Sequence, residues 1–295
     1  MNETVLRRPE WLKVRVPSGP NFTDLKIIMQ DNALHTVCEE ARCPNMGECW
    51  ENRTATFMIL GDICTRACGF CAVTSGKPEV LDLLEPGRVA QAVRRMGLKH
   101  VVITSVNRDD LPDGGAGIFA ATIRKVRQAM PGCTVEVLIP DFEGVESSLQ
   151  TVVDAAPELL DHNLETVERL TKRVRRKAQY QRSLAVLRRA KDLAPQRLTK
   201  SGIMLGLSET DEEIARTLLD LRQAGVDVVT IGQYLRPTAK HLAVQRFYTP
   251  EEFVYWHDYG MKLGFSHVES GPLVRSSYHA HEHAALSPAD PISPA

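Results

Sequence analysis

Apolar runs typical of β-strands alternate along this chain with segments in which apolar residues recur at helical spacing. The first clear unit joins a β-branched run at His100–Val106 to a helical pattern that ends before Pro131. Such alternation is typical of parallel strands joined by crossover helices. The predicted strands are Phe57–Leu60, His100–Val106, Thr134–Ile139, Leu159–Leu164, Ser201–Leu207 and Asp227–Tyr234, and the predicted helices are Gly87–Arg95, Ile118–Met130, Glu146–Ala155, Tyr180–Asp192 and Asp211–Ala224.

The number of strands limits the fold to two arrangements of the α/β class. Six strands are too few for a closed eight-stranded barrel, which leaves a doubly wound sheet or an open partial barrel. No Gly-x-Gly-x-x-Gly pattern follows the first predicted strand. The strand pattern alone leaves both arrangements open.

Composition and charge exclude several classes of protein. The 295 residues are 43% hydrophobic and 25% charged, which is close to globular averages. Lys and Arg number 36 and Asp and Glu 37, a net charge of −1, so no overall charge attracts nucleic acid or membrane lipid. The chain has no apolar run of about 18 residues and no secretory signal pattern. We therefore expect a cytoplasmic protein.

Six of the seven cysteines lie in one short stretch, in two groups of three. The first triplet is Cys38, Cys43 and Cys49, and the second triplet is Cys64, Cys68 and Cys71. In a reducing compartment, clustered thiols bind metal or do redox chemistry more often than they form disulfides. Each triplet lacks one of the four ligands of structural zinc, whereas a four-iron cluster on three cysteines keeps one iron open. Zinc stays an alternative, above all for the first triplet, which has His35 nearby.

Polar and glycine residues follow two of the predicted strands. Asp113, Gly114 and Gly115 come after the second strand, at the end where parallel barrels bind ligands, but Asp-Gly is also a common turn dipeptide. Asn163 and Glu165 end the fourth strand and share a face, because alternate residues of a strand point the same way. Ribose hydroxyls of a nucleoside, or water, would satisfy these two side chains.

Two further segments carry unusual charge. The most basic stretch is Thr171–Lys177, for which a solvent-exposed helix face is the simplest explanation. The alternatives are that Arg175 pairs with a ligand carboxylate, or that the stretch meets an acidic protein partner. His279, His281 and His283 alternate as metal ligands can, but their segment lacks apolar periodicity, so we expect a frayed tail.

The second triplet, with Phe70 before its last cysteine, resembles the cluster motif of the radical S-adenosylmethionine superfamily. Within that superfamily, its pairing with CEEARCPNMGEC (Cys38–Cys49) and RSSYHA (Arg275–Ala280) resembles the lipoyl synthase family. The other segments that resemble this family are Met58–Val73, Thr104–Ala116, His162–Thr166 and Gly271–Ala280, within a resemblance that extends from about Val37 to Ala280.

This resemblance implies a fold and two cofactors. The fold is a partial, six-stranded parallel β/α barrel with extensions at both ends. The second triplet would hold a [4Fe-4S] cluster whose open iron binds S-adenosyl-L-methionine, and the first triplet would hold an auxiliary [4Fe-4S] cluster. The residues implied in binding S-adenosylmethionine are Gly114, Gly115, Asn163, Glu165 and Arg175.

The resemblance also implies a serine of RSSYHA as the fourth ligand of the auxiliary cluster. A hard oxygen ligand on iron exchanges easily among soft sulfur ligands, which suits a cluster that gives up sulfide. We choose Ser277, and the sequence does not separate it from the adjacent Ser276. Ser277 therefore joins Cys64, Cys68 and Cys71 among the expected catalytic residues.

The implied reaction inserts two sulfur atoms, at C6 and C8, into an octanoyl chain on a lysine of a lipoyl carrier domain. The implied protein partners are the E2 subunits of 2-oxoacid dehydrogenases, the H protein of glycine cleavage, an electron donor such as ferredoxin or flavodoxin, and an iron–sulfur carrier that rebuilds the cluster. Neither nucleic acid nor membrane is expected as a partner.

The expected organisation has four parts. Residues 1–52 form an N-terminal extension with the first triplet, 53–249 the partial barrel, 250–280 a C-terminal extension with RSSYHA, and 281–295 a disordered tail. Two other interpretations remain. Another radical enzyme with an auxiliary cluster would share the second triplet without needing CEEARCPNMGEC or RSSYHA, and a zinc-binding module would contain no iron.

Overall fold

Seven parallel strands and one antiparallel edge strand form the central sheet of the computed structural model. The structure describes residues 7–14, 18–41, 43–51, 56–78, 80–283, 286 and 288–289. The strands are β1 (His35–Thr36), β2 (Thr56–Ile59), β3 (Ile63–Cys64), β4 (Thr74–Ser75), β5 (His100–Ser105), β6 (Thr134–Leu138), β7 (Leu159–Asp161), β8 (Leu198–Leu205), β9 (Val228–Gln233) and β10 (His267–Gly271).

Helices precede the sheet, connect its strands and follow it. The α-helices are α1 (Pro20–Asp31), α2 (Val37–Glu40), α3 (Met46–Glu51), α4 (Glu85–Met96), α5 (Ala116–Ala129), α6 (Glu146–Asp154), α7 (Glu168–Val174), α8 (Tyr180–Leu193), α9 (Asp211–Gln223), α10 (Pro250–Lys262) and α11 (Ala280–His283), and the 3₁₀ turns are Glu10–Leu12 and Phe142–Gly144. None of the helices in the described ranges is long and apolar enough to cross a membrane.

The central sheet is open. Its strand order is β1-β2-β5-β6-β7-β8-β9-β10, with β1 antiparallel to β2 and every later pair parallel. Within the described part of the chain, the edge strands β1 and β10 do not pair with each other. This confirms the α/β class and agrees with a partial barrel. The small β3–β4 ladder lies in the loop after β2, so the second triplet begins at the carboxyl end of the sheet.

Local sequence explains most of these elements. Strand β5 is buried over its first five residues, as expected for a parallel strand covered on both faces. Helix α9 begins with a capping box between Thr210 and Glu213, and α10 with one between Thr249 and Glu252.

The structure adds a seventh parallel strand to the six that were predicted. Strand β10 pairs with β9 inside the region expected to be a C-terminal extension. Its sequence, His-Val-Glu-Ser-Gly, has one fully buried residue, Val268, and four half-buried ones. The sequence of β10 therefore contains no apolar run that would predict a strand. The segment is a strand because it pairs with β9.

The prediction of a disordered tail from residue 281 is wrong for His281–His283, which belong to α11. The His283 side chain is fully buried, and its Nδ1 atom lies 3.3 Å from Nζ of Lys200 inside the sheet. Further along, the amide of Ala289 donates to Oδ1 of Asp227 across 2.8 Å. The expected disorder at 284–285, 287 and 290–295 falls outside the described residues.

Candidate active site

The second triplet lies in the loop that follows β2. Two backbone N–H groups donate to Sγ of Cys64, from Arg66 at 3.4 Å and from Asn107 at 3.3 Å. The amide of Cys71 donates to the carbonyl of Cys68 at 3.2 Å, which closes a tight turn. Backbone N–H groups that donate to a cysteine sulfur tune the iron–sulfur cluster that the sulfur binds.

Neighbouring elements hold this loop in place. The amide of Gly69 donates to the carbonyl of Val174 at 2.8 Å, and the amide of Leu242 donates to the carbonyl of Gly69 at 3.0 Å. Nε2 of His241 lies 2.9 Å from the carbonyl of Cys71. A Cβ atom at Gly69 would stand 3.0 Å from the Leu242 side chain, so this close approach explains the glycine.

The first triplet lies on α2, on α3 and between them. The amide of Cys43 donates to the carbonyl of Cys38 at 3.0 Å, and the amide of Cys49 donates to the carbonyl of Asn45 at 2.9 Å. Burial is the largest cause that raises the pKa of the Cys49 thiol to about 12, and the charges of Cys38 and Cys43 raise it further. The three thiols are therefore close enough to act on one another.

Burial raises the pKa of thiols in both triplets. It raises the pKa of Cys38 and Cys68 to about 11, and that of Cys71 to about 12. All seven cysteines are free thiols. Buried thiols of this kind stay protonated near neutral pH unless a bound metal withdraws the proton.

Among the described residues, one group of three potential metal ligands lies within 4.8 Å of one another, namely His267, Glu269 and His283. Each cysteine triplet offers three free thiols, the ligand number that leaves one iron of a four-iron cluster open.

The histidine group has another explanation. His283 lies beside the Lys200 amine, which also donates to Glu136 at 2.8 Å. A lysine ammonium next to His283 repels a metal cation and occupies one ring nitrogen. We therefore interpret His283 as an anchor for the C-terminal segment.

RSSYHA packs against the first triplet. Nδ2 of Asn45 donates to the carbonyl of Leu273 at 2.7 Å, just before the motif, and Oη of Tyr278 donates to Oε1 of Glu48 at 3.4 Å, within it. Ser277 lies between these two contacts. In the described residues, neither Ser276 nor Ser277 uses its hydroxyl in a hydrogen bond, which argues against a purely turn-forming role.

Arg275 connects the two halves of the site. One of its guanidinium nitrogens would lie 3.4 Å from a Cβ atom at Gly232, at the carboxyl end of β9. Burial lowers the pKa of Arg275, and the charges of Cys43 and Glu165 act in the opposite direction. One side chain is thus within electrostatic reach of the first triplet and of the residues after β7.

Asn163 and Glu165 lie beyond β7, which ends at Asp161 and not at Leu164 as predicted, so they do not share a strand face. Their side chains still meet, because Nδ2 of Asn163 donates to Oε1 of Glu165 at 3.1 Å. Among the described residues, the buried Oδ1 of Asn163 has no hydrogen-bond partner. Glu165 has a φ of 66°, an uncommon left-handed conformation for this residue type that is often found at functional sites. Burial raises its pKa, against the opposing charge of Arg175. The unpaired Oδ1 of Asn163 and the nearby Glu165 carboxylate can therefore accept hydrogen bonds from a polar ligand.

Arg175 itself donates to the carbonyl of Leu164 at 3.2 Å and to Oγ of Ser183 at 3.3 Å. The described residues give it no carboxylate hydrogen-bond partner, so its charge is available to an anionic group near Cys68 and Glu165.

The predicted glycines form the turn before α5. The amide of Gly114 donates to Leu111 at 3.0 Å, and that of Gly115 to Oδ1 of Asp113 at 2.9 Å. Both have positive φ, and a Cβ atom at Gly115 would lie only 2.3 Å from Leu60. The turn interpretation is therefore supported, and what remains for a ligand is the Gly114 carbonyl, which accepts no hydrogen bond among the described residues.

Sequence reasoning missed two polar residues at the end of β5. Oγ of Ser105 and Oδ1 of Asn107 are buried, and no described residue forms a hydrogen bond with either atom. The backbone N–H of Asn107 donates to Sγ of Cys64. The signal was present, because polar residues directly after an apolar strand lie at the ligand-binding end of a parallel sheet.

Two family models match this chain. Residues 58–221 match the Radical SAM superfamily, and residues 1–43 match the N-terminal domain of lipoyl synthase of the Radical SAM family. A lipoyl synthase of Rubrobacter xylanophilus is 65% identical over 93% of this chain and 86% of its own length. A lipoyl synthase of Symbiobacterium thermophilum is 62% identical over 95% and 88%.

Solved structures agree on the fold. The FeFe-hydrogenase maturase HydG from Carboxydothermus hydrogenoformans aligns with a TM-score of 0.54 at 13% identity, over 89% of this chain and 77% of that one. Coproporphyrinogen III oxidase (HemN) from Escherichia coli, a radical SAM enzyme, aligns with a TM-score of 0.50 at 12% identity, over 76% and 56%. At these identities the likeness extends to the fold alone.

Proposed function

The chain belongs to the lipoyl synthase family of the radical S-adenosylmethionine superfamily, and from this premise we propose how its residues insert sulfur at C6 and C8 of a carrier-bound octanoyl chain. It is a sulfur-inserting enzyme that uses S-adenosylmethionine and [4Fe-4S] clusters. The proposal concerns which residues bind each group and what they contribute.

The observation that carries the proposal is the packing of the RSSYHA segment against both halves of the site. Tyr278 donates to Glu48, next to Cys49, and a guanidinium nitrogen of Arg275 would lie 3.4 Å from a Cβ atom at Gly232, at the carboxyl end of β9. Reactants held in one orientation gain much of the required rate from proximity. A segment that touches the surroundings of the first triplet and the carboxyl end of the sheet supports a single shared cavity.

When bound, the cluster on the second triplet and S-adenosylmethionine supply a 5′-deoxyadenosyl radical, and the cluster on the first triplet supplies sulfur. Cys64, Cys68 and Cys71 hold the former cluster. The backbone N–H groups of Arg66 and Asn107 donate to Sγ of Cys64 and would tune that cluster.

Four residues supply the groups that would bind S-adenosylmethionine. The free carbonyl of Gly114 accepts from the amino group of S-adenosylmethionine, and the turn at Gly115 presents that carbonyl. Asn163 and Glu165 bind the ribose hydroxyls, since both keep acceptor capacity after their mutual hydrogen bond. Arg175 faces the carboxylate.

Cys38, Cys43, Cys49 and Ser277 hold the auxiliary cluster. The Leu273 and Tyr278 contacts hold both serines of RSSYHA beside the first triplet, and among the described residues neither hydroxyl has a hydrogen-bond partner. The family resemblance points to one of them, and we assign Ser277. An oxygen ligand from Ser277 would exchange more easily than the three thiolates, which would suit a cluster that supplies sulfur.

The protein partners follow from this chemistry. The substrate is the octanoylated lipoyl domain of E2 subunits or of the glycine cleavage H protein. A ferredoxin or flavodoxin donates electrons, and an iron–sulfur carrier restores the auxiliary cluster. We also propose a cytoplasmic location, because a reducing compartment keeps the six thiols available.

Counting iron and sulfide after anaerobic reconstitution tests the proposal. About eight irons per chain, together with lipoyl product from an octanoylated carrier domain, is the expected result. About four irons would indicate a single-cluster radical enzyme, and zinc without iron would indicate a binding module; either result contradicts the proposal.

A further inference from the structure

Four exposed basic side chains cluster on α7 and the turn after it. This α7 basic patch consists of Lys172, Arg173, Arg176 and Lys177. Lys177 pairs with Asp109 at 3.4 Å, whereas no ion pair joins the other three to any described residue. In a chain whose net charge is −1, the patch is a local excess of uncompensated positive charge.

The patch lies directly on the loop of the second triplet. The carbonyl of Val174, within the patch segment, accepts from the amide of Gly69 at 2.8 Å. Nζ of Lys177 donates to the carbonyl of Thr65 at 3.4 Å. Ala67, between the first two cysteines of the triplet, is exposed. The accessible surface nearest this triplet is therefore bordered by positive charge.

A further basic side chain borders the same loop. Lys240 is exposed, and the adjacent His241 contacts the carbonyl of Cys71 at 2.9 Å. Positive charge thus lies both on α7 and on the segment after β9, with the cysteine loop between them.

We propose that the α7 basic patch docks an acidic one-electron carrier protein, which reduces the cluster on the second triplet. This inference rests on the proposed function, which requires an electron from outside the chain. One electron leaves the carrier, which is oxidised, and enters the cluster, which is reduced; no proton or chemical group moves. Complementary charge speeds encounter and orients the partner, and electron-transfer complexes are small and transient.

An electron carrier fits the patch better than the octanoylated carrier domain does. The octanoyl chain has to reach both triplets, whereas an electron has to reach only the loop of the second. The patch contacts that loop through Gly69 and Thr65. The first triplet instead lies against the C-terminal segment, through Asn45 and Leu273.

A binding measurement tests the patch directly. The test variant combines Lys172→Gln, Arg173→Gln and Arg176→Gln, and the matched control combines Lys125→Gln, Arg94→Gln and Arg124→Gln, which are exposed on α4 and α5. Anaerobic calorimetry would titrate an acidic flavodoxin into each reconstituted holoenzyme. We expect the Kd of the test variant to rise at least about tenfold at low salt, the control to match the parent, and high salt to reduce the difference. Equal affinity in the test variant and the parent would overturn the proposal.

Activity separates this inference from the proposed function. With dithionite as reductant, the test variant should form 5′-deoxyadenosine and lipoyl product at the parent rate; with limiting flavodoxin, it should be slower by about tenfold or more. A raised KM for the octanoylated carrier domain under dithionite would assign the patch to the substrate and overturn the proposal. Failure of the parent to make lipoyl product with dithionite would contradict the proposed function, while the flavodoxin titration would still decide the docking site.

Discussion

The guanidinium of Arg66 donates to Oδ1 of Asp141 across 2.6 Å, and both side chains are almost completely buried, with 4% and 0% exposed. Arg66 belongs to the loop of the second triplet, and Asp141 caps the 3₁₀ turn after β6. Arg66 also pairs with Asp109 at 2.8 Å. Through these two ion pairs, Arg66 joins the cysteine loop to the segments that follow β5 and β6.

Replacing Asp141 by Ala should lower the free energy of unfolding of the metal-free protein by about 3 kcal/mol, because an arginine would lose one of its buried partners. Urea denaturation at pH 7 measures this. The control is Asp82→Ala, since Asp82 forms a half-exposed pair with Arg88 at 2.8 Å and should contribute less than about 1 kcal/mol. Equal losses in the two variants would contradict the assignment.

The same pair predicts an acid-sensitive step. Burial alone would raise the pKa of Asp141, but the hydrogen bond and charge of Arg66 outweigh it and lower the pKa to about 2. The unfolded value is about 3.9. The stabilisation is therefore present above pH about 4 and is lost as pH falls through about 2. Between pH 5 and pH 2, the free energy of unfolding should decrease less in Asp141→Ala than in the parent protein.

The two triplets should separate S-adenosylmethionine cleavage from sulfur insertion. Replacing all three cysteines of the second triplet by Ala should abolish 5′-deoxyadenosine formation, because the open iron is lost. Replacing those of the first triplet should leave cleavage measurable and eliminate lipoyl product. Mass spectrometry of both products checks this, and identical behaviour of the two variants would disprove the division of roles.

Asn163→Ala and Glu165→Ala should each weaken S-adenosylmethionine binding by about 1–3 kcal/mol, or roughly 5- to 150-fold in Kd, since each leaves a buried partner unsatisfied. Equilibrium binding to the reconstituted enzyme gives the value. Glu168→Ala, on the exposed start of α7, is the control and should bind normally. Unchanged affinity in both site variants would return the two residues to a solvent-facing role.

Ser277→Ala should abolish lipoyl formation, whereas Ser276→Ala should retain it, because only one hydroxyl completes the auxiliary cluster. Cluster sulfide carrying a heavy isotope should appear in the product, and the unassisted enzyme should stop after about one turnover. Full activity of Ser277→Ala would refute the ligand assignment, and product that draws both sulfurs from unlabelled external sulfide would refute the sacrificial role.

Apolar periodicity determined six of the strands, and the cysteine triplets with their surrounding motifs indicated the family. The two triplets, the six predicted strands and the polar residues Asn163 and Glu165 are visible in sequence, because the period of a strand and the ligand spacing of a short loop are local properties of the chain.

Only the tertiary structure decided which distant segments meet. Strand β10 has no apolar run, and it becomes a strand because β9 offers an unpaired parallel edge. His283, in a segment without periodicity, is ordered because Lys200 and the sheet interior bury it. The segment that carries Arg275 lies beside the first triplet because Asn45 donates to the carbonyl of Leu273, just after β10. These contacts join residues that lie 39, 83 and 228 positions apart in the sequence, and local sequence patterns do not encode such pairings.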